Sequence, residues 1–315
     1  DTAIDNLEAG GISPQDRDEF FGGNAESWIA TAYTLKARYS LHVAHVNEDP
    51  VADIDFSSVY QATLNGIGNS SGDMMAPHGT SLGVDANPFA QFRSERGNDL
   101  TAANSYVASL LDETTAFYRG DTKTDESARL ANYFVGDNPS YDMNLEAGGF
   151  FARATDYPLV TYAENELIKA EAALHAGEGA DVALDALNAA RAANDARFGP
   201  GLYDAYELGD FEDGGIANPD GLTQAQALLK EILEEKYLTV FASIETYNDL
   251  RRTENYADIL DTTGGLDPDD REVLEGFPQR FPIAQGEVNG NENAPDPIPG
   301  IFEATPANQA TYPTP

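Results

Sequence analysis

Apolar residues recur at three- and four-residue spacing over several long stretches, whereas the two-residue alternation of a strand is almost absent. Trp28, Ala32, Leu35 and Tyr39 form one such stripe. They predict an amphipathic helix over about 25–46 with those side chains inward, closed by Pro50. A second helix is expected over about 56–64, ending at Gly66, and a third over about 102–117 with Tyr106, Leu110 and Leu111 on one side. Thr161 and Glu164 have capping-box spacing at the start of the next, whose stripe is Ala163, Leu167, Ala170 and Leu174. Gly177 and Gly179 break it, and Ala183, Leu187 and Ala190 mark the following helix. Small alanines on both faces let such a pair pack closely and antiparallel. Thr223 and Gln226 repeat the capping spacing ahead of Leu229, Ile232, Leu233 and Tyr237, and a shorter helix follows over about 244–252.

Between these helices lie excursions rich in Gly, Asn, Pro and Asp, at about 67–100, 119–157, 197–222 and 254–315. The expectation is a mainly α, single-domain chain over 1–315. It combines helix hairpins of the tetratricopeptide (TPR) kind with long irregular loops. The hairpins do not recur at a fixed period, which argues against a regular solenoid.

Charge then narrows the function. The chain carries 54 acidic and 18 basic residues, a formal net charge of -36. Such a field repels nucleic acid and anionic membrane surfaces. The acids are dispersed and lysine is scarce, which fits a surface adapted to high salt, where mutual repulsion is screened. The absence of cysteine excludes disulfides, thiolate metal ligands and a cysteine nucleophile. No apolar run reaches the length needed to span a bilayer as a helix.

Catalytic and metal signatures are weak. Glu164, Glu166 and Glu171 have the chemistry of a glycosidase pair, but in so acidic a chain they read as caps and ion pairs. Glu245, Asp249 and Arg252 fall on one helical face and suit a structural ion pair, with Arg251 beside them. Of His42, His45, His78 and His175, only the first two are close, and no third metal ligand accompanies them. Asp267, Asp269 and Asp270 lack the Gly and Glu positions of an EF-hand loop. Phosphate-loop, dinucleotide and nucleophile-elbow motifs are missing. No metal, cofactor or catalytic residue is expected. Trp28, the one tryptophan, lies on a helical stripe and reads as core rather than as a sugar platform.

The blocks Pro158–Ala172, Ala186-Leu187-Asn188 with Arg191, Glu235–Glu245, and Tyr247–Arg252 together resemble the SusD/RagB family. So does the tail from Phe277 to Pro282 with Glu287, Asn289, Asn291 and Asn293. Upstream, Trp28 with Lys36–Tyr39, and Asn87–Phe89 through Gly97, look like its earlier blocks. The resemblance implies a fold of TPR-like helix pairs in a non-enzymatic protein on the outer face of a Gram-negative outer membrane. There it would hand oligosaccharides or other nutrients to a TonB-dependent, SusC-like transporter. Members begin with a lipid-bearing cysteine and further helices, which are expected to lie outside this chain. Ligands in the family meet the irregular excursions, which directs attention to Phe89, Phe92, Tyr133, Tyr141, Phe150 and Phe151 for stacking. Asn138 and Asp142 are the expected hydroxyl partners. The alternatives are a binder of peptides or other non-sugar nutrients, a TPR-type protein–protein adaptor, and a glycosidase.

If acidic repulsion dominates the surface, thermal stability climbs steadily from low to molar salt. A melting series in sodium chloride checks this, and a flat or falling curve contradicts it.

Overall fold

Residues 1–10, 17–46, 54–257, 278–305 and 311–315 are described by the structure, a computed structural model. Asp267, Asp269, Asp270 and Phe277 lie outside the described residues. In chain order the helices begin with α1 (Thr2–Glu8), α2 (Ala25–Leu41) and α3 (Phe56–Thr63). Strand β1 (Met74–Ala76) precedes α4 (Pro88–Arg96), α5 (Tyr106–Leu111) and α6 (Ser127–Tyr133). Strands β2 (Phe134–Val135), β3 (Asp142–Met143) and β4 (Tyr157–Val160) lead into α7 (Tyr162–Ala176) and α8 (Ala180–Phe198). Then come α9 (Gln224–Thr239), α10 (Ile244–Arg252) and α11 (Gln285–Gly290). The strands form two antiparallel ribbons, β1 with β4 and β2 with β3, so the fold is mainly α as expected.

The α7–α8 hairpin is the centre of the molecule. Ala170 and Ala173 on α7 meet Ala183, Leu187 and Ala190 on α8, all fully buried, and without bulky side chains the axes approach closely. Gly177 closes α7 at φ 78°, a left-handed position that suits glycine. Helices α3 and α9 pack on the other sides of α7, and α2 packs on α3. Gly66 lies where α3 turns toward α7. A Cβ there would fall 2.1 Å from Asn165 Oδ1 and 2.6 Å from Thr34 Oγ1, so only glycine allows this crossing.

Several expectations are corrected. The buried face of α2 is Thr31, Thr34, Ala37 and Leu41 rather than the Trp28–Tyr39 stripe. Thr34 Oγ1 donates to Asn165 Oδ1 at 3.0 Å and accepts from Ile67 N at 2.9 Å, so at the centre of this face a paired hydroxyl stands where an apolar side chain was expected. Trp28 is only half-buried. It sits edge-on to Phe20 and Phe21 and donates Nε1–H to Asp18 at 2.7 Å. The helix expected over 102–117 is only α5, because Asp112 turns back to accept from the Thr114 backbone and hydroxyl at 2.9 and 2.8 Å. The excursion at 67–100 contains α4, capped by Asn87 with Pro88 at its first position, a start signal present in the sequence. The excursion at 119–157 likewise contains α6. The Thr223–Gln226 capping box forms in both directions. At Thr161 only half of a box forms, because the Glu164 carboxylate leaves its own helix and grips Arg38 at 2.5 and 2.6 Å.

Ion pairs thread the interior. Glu235 on α9 accepts from Arg129 on α6 at 2.7 Å and from Asn194 on α8 at 2.7 Å, and meets Arg119 at 3.0 Å. Arg119 also reaches Glu126, Glu231 and Glu234. A second network joins Arg252 to Glu171 and Asp249, with Tyr312 of the C-terminal segment donating to Glu171 at 2.7 Å. His42 lies 2.7 Å from Glu245, and Glu166 pairs with Lys169. The glutamates weighed for catalysis are therefore tied individually to cations on this helix and its neighbours.

Removing one partner of a buried pair leaves the other charge uncompensated. Arg252→Met should cost about 3–5 kcal/mol, and adding Glu171→Leu should recover part of that loss. Lys36→Ala, which breaks an exposed pair with Asp1, should leave the denaturation midpoint unchanged. Guanidinium unfolding of the three variants tests the difference.

Candidate functional site

The cleft of interest is built on the β1–β4 ribbon. Met75 pairs with Pro158 and Met74 with Val160, which sets Asp73 and Thr161 at the same end of the ribbon. Thr161 is the cap of α7, its hydroxyl accepting from Glu164 N at 3.2 Å. The last turn of α8 brings Asn194 and Arg197 to the opposite wall, and the loop 148–156 supplies Phe150, Thr155 and Asp156. That loop is fastened by Asn132 donating to Gly148 O at 3.0 Å and by Thr155 donating to Gly149 O at 2.8 Å. Together with Ser70 and Ser71 they enclose an open cleft of about 670 Å³.

Three charged groups line it: Asp156, which accepts the His78 backbone N–H at 3.0 Å, and Asp73 and Arg197, which give it its chemical character. Asp73 accepts the Tyr162 backbone N–H at 2.7 Å. Burial nevertheless pushes its carboxyl up to about 6, against the pull of that bond and of the Arg197 charge. Arg197 holds its guanidinium 5.7 Å from the Phe150 ring centre and 5.0 Å from that of Phe198. Among the described residues no carboxylate lies within ion-pairing distance of Arg197, although the chain has 54 acids. An acceptor and a fork of donors thus face the same space without neutralising each other. Such an arrangement suits a polar ligand rich in hydroxyls, each of which donates and accepts.

The residues expected from the sequence are placed differently. Tyr133, Tyr141, Phe150 and Phe151 are buried, and Phe89 is half-buried against Phe151 and Tyr157. Tyr133 stacks on Phe241 at 5.0 Å and meets Phe150 edge-on at 5.1 Å. Tyr141 donates to Asp112 at 2.8 Å, and burial together with that carboxylate pushes its hydroxyl up to about 12. These rings were expected to stack on a ligand, but protein covers their faces, and the structure brings them together as an aromatic core. Of them only Phe150 contributes to the cleft, at its floor. Phe92, 43% exposed, Asn138 and Asp142 lie elsewhere, and Asp142 is paired with Arg93. Asp73 and Arg197 were missed by sequence reasoning. Arg197 had a legible signal, since Ala193, Asn194, Pro200 and Gly201 leave it no acid at helical spacing.

The scaffold is thus a set of packed helices, with the α7–α8 hairpin at its centre, that carries an open cleft lined by Asp73, Asp156 and Arg197. The chain belongs to the SusD-like family, whose description is starch-binding, associating with outer membrane, and whose model matches residues 1–277. Comparison with curated proteins finds no match. Among solved structures, it is similar to a chitin-binding SusD homolog from Flavobacterium johnsoniae at 17% identity and a TM-score of 0.57. That match covers 92% of this chain and 64% of the other, so the chain spans less than two thirds of that relative's length. A SusD homolog from Bacteroides vulgatus matches at 16% identity and a TM-score of 0.64, covering 98% and 68%. One from Parabacteroides distasonis matches at 14% and 0.65, covering 99% and 74%. At these identities the likeness establishes the shared fold.

Because the Asp73 carboxyl titrates higher in the fold than in the unfolded chain, its ionisation opposes folding. The neutral form is fully present below about 4, and the cost appears as pH rises through about 6. Asp73→Asn should therefore raise the melting temperature at pH 8 and leave it unchanged at pH 4. Parallel melts at the two pH values decide it.

Proposed function

We propose that this chain is a non-enzymatic carbohydrate-binding protein of the outer membrane surface and that the Asp73–Arg197 cleft is where glycan is captured. The observation that carries this reading is the cleft itself: a half-buried acceptor and, among the described residues, a donor fork with no carboxylate partner across one open space, in a member of a family described as starch-binding. Hydroxyls on adjacent sugar carbons fit such a pair, one donating to Asp73 and its neighbour accepting from Arg197. The flat faces of Phe150 and Phe198 restrain the guanidinium, lowering the entropy lost when it binds.

Capture by such contacts is an equilibrium process. Each hydrogen bond to a sugar replaces one to water, so affinity for one short glycan lies on the order of micromolar to millimolar. Release on that scale is fast enough to pass the ligand on, which suits delivery to a TonB-dependent, SusC-like transporter. No helix among the described residues is long and apolar enough to cross a membrane. Attachment is assigned to a lipid anchor, as the family resemblance implies. Asp73 and Asp156 both line the cleft, and each accepts a backbone N–H, from Tyr162 at 2.7 Å and from His78 at 3.0 Å; the non-enzymatic reading assigns them to holding hydroxyls rather than to bond cleavage.

Calorimetric titration with starch-derived and chitin-derived oligosaccharides tests the reading. Binding should occur with at least one series, and Arg197→Gln and Asp73→Asn should each weaken it about tenfold, the worth of one charged hydrogen bond. Binding of peptides with none across the glycan series would transfer the cleft to a peptide ligand. Cleavage of a bound oligosaccharide on overnight incubation with pure protein would overturn the non-enzymatic assignment.

A further inference from the structure

A second cavity, of about 180 Å³, lies beside the first and shares Pro158, Thr161 and Thr239 with it. The two are therefore separated only by a ridge of three side chains, where β4 passes the end of α9. Their characters differ. The first has an unneutralised acceptor and donor, whereas every charged group lining the second is already engaged. Arg38 is gripped by both oxygens of Glu164 and donates to Leu159 O at 2.8 Å, and Glu245 is held by His42 at 2.7 Å. What remains is mostly apolar: apart from the hydroxyls of Thr161, Thr239 and Ser243, the lining is Pro158, Tyr157, Val240 and Phe241, with Leu159 and Ile244 partly exposed, Ile244 at 53%.

We propose that the second cavity is an extension subsite, in which a glycan held at Asp73 and Arg197 continues across the Pro158–Thr161–Thr239 ridge and lays the next sugar ring against Leu159 and Ile244. The inference rests on the carbohydrate reading of the first cleft. Saturated charges ask for no counter-ion, so this subsite takes a neutral unit. Leu159 and Ile244 meet the C–H face of a pyranose ring and leave its hydroxyls in water, while Thr161 and Thr239 stand at the crossing, where a linkage passes. Two unlike subsites in series select for chain length, because the second contact is made by a ligand already anchored by the first.

The experiment titrates the protein with di-, tetra- and hexasaccharides of the maltose and N-acetylchitobiose series, alongside Leu159→Asp, Ile244→Asp and Arg197→Gln. Ile244→Asp places an acid in the first turn of α10, where the helix end favours it, so folding is retained. The wild type should gain about tenfold in affinity from di- to hexasaccharide. Either aspartate variant should lose that gain while binding the disaccharide as before, and Arg197→Gln should weaken all lengths alike. Affinity independent of length, or a length gain untouched by both aspartate variants, overturns the extension subsite and leaves the first cleft standing if Arg197→Gln still weakens binding. No binding at any length removes both. Self-association of the wild type that either aspartate variant abolishes would make the apolar lip a protein contact and overturn the subsite.

Discussion

The carboxylate of Glu235 is the point through which most of the scaffold is referred to one position. It lies fully buried on α9 and takes Arg129 from α6, Asn194 from α8 and Arg119 from the segment between α5 and α6. Burial opposes its ionisation, but the two guanidinium groups outweigh that and hold its carboxyl at about 2. The arrangement is a constraint more than a source of net stability, because desolvating three charges consumes much of what their attraction returns. What it does provide is specificity. Helices packed through alanine and leucine alone can slide by a turn, whereas a three-way ionic contact tolerates one register.

That register places the cleft. Asn194, which binds Glu235, lies one turn before Arg197, so the Glu235 network sets the height at which the α8 terminus meets the loop 148–156. Arg191, two turns before the helix end, spends its guanidinium on the carbonyls of Lys123 and Asp204 and on the face of Tyr206 at 3.9 Å. Arg191 and Arg197 thus share a helix and divide roles. One is buried and held by interior carbonyls and an aromatic face, and the other lies beside aromatic rings with no carboxylate partner among the described residues. The same division separates the two cavities, the first with open polar groups and the second with all of its charges internally satisfied.

The surface works differently from the interior. Of the basic side chains described, most are bound to carboxylates, many deep in the fold, which leaves the exterior dominated by unpaired acid. Long-range repulsion among those acids is screened within about 3 Å at molar salt, while contacts at hydrogen-bond distance are hardly affected. A site built from direct contacts therefore tolerates an environment in which the surface itself requires salt.

Helix positions were legible in the sequence wherever periodicity, capping residues and terminal glycines agreed, as from Thr161 to Gly179 and again from Thr223 to about Arg252. Those signals are local, acting within one or two turns, so one sequence window contains the whole cause. The family blocks were legible for a related reason, since they coincide with these capped, small-faced helices. Legibility failed where a side chain chose a distant partner. Glu164 left its capping box for Arg38, 126 positions earlier in the chain, and Thr34 turned the polar face of α2 inward to meet Asn165. The aromatics were visible, but whether Tyr133 and Phe150 would face a ligand or each other depended on the turn after α9 bringing Phe241 against both rings. Asp73 and Arg197 are 124 positions apart and belong to one cleft only because β1 pairs with β4 and α8 returns along α7. The sequence by itself determined where the capped, periodic helices lie and which family they resemble. Tertiary structure alone decided which charges are spent on the fold and which remain free for a ligand, because that depends on contacts between segments far apart in the chain.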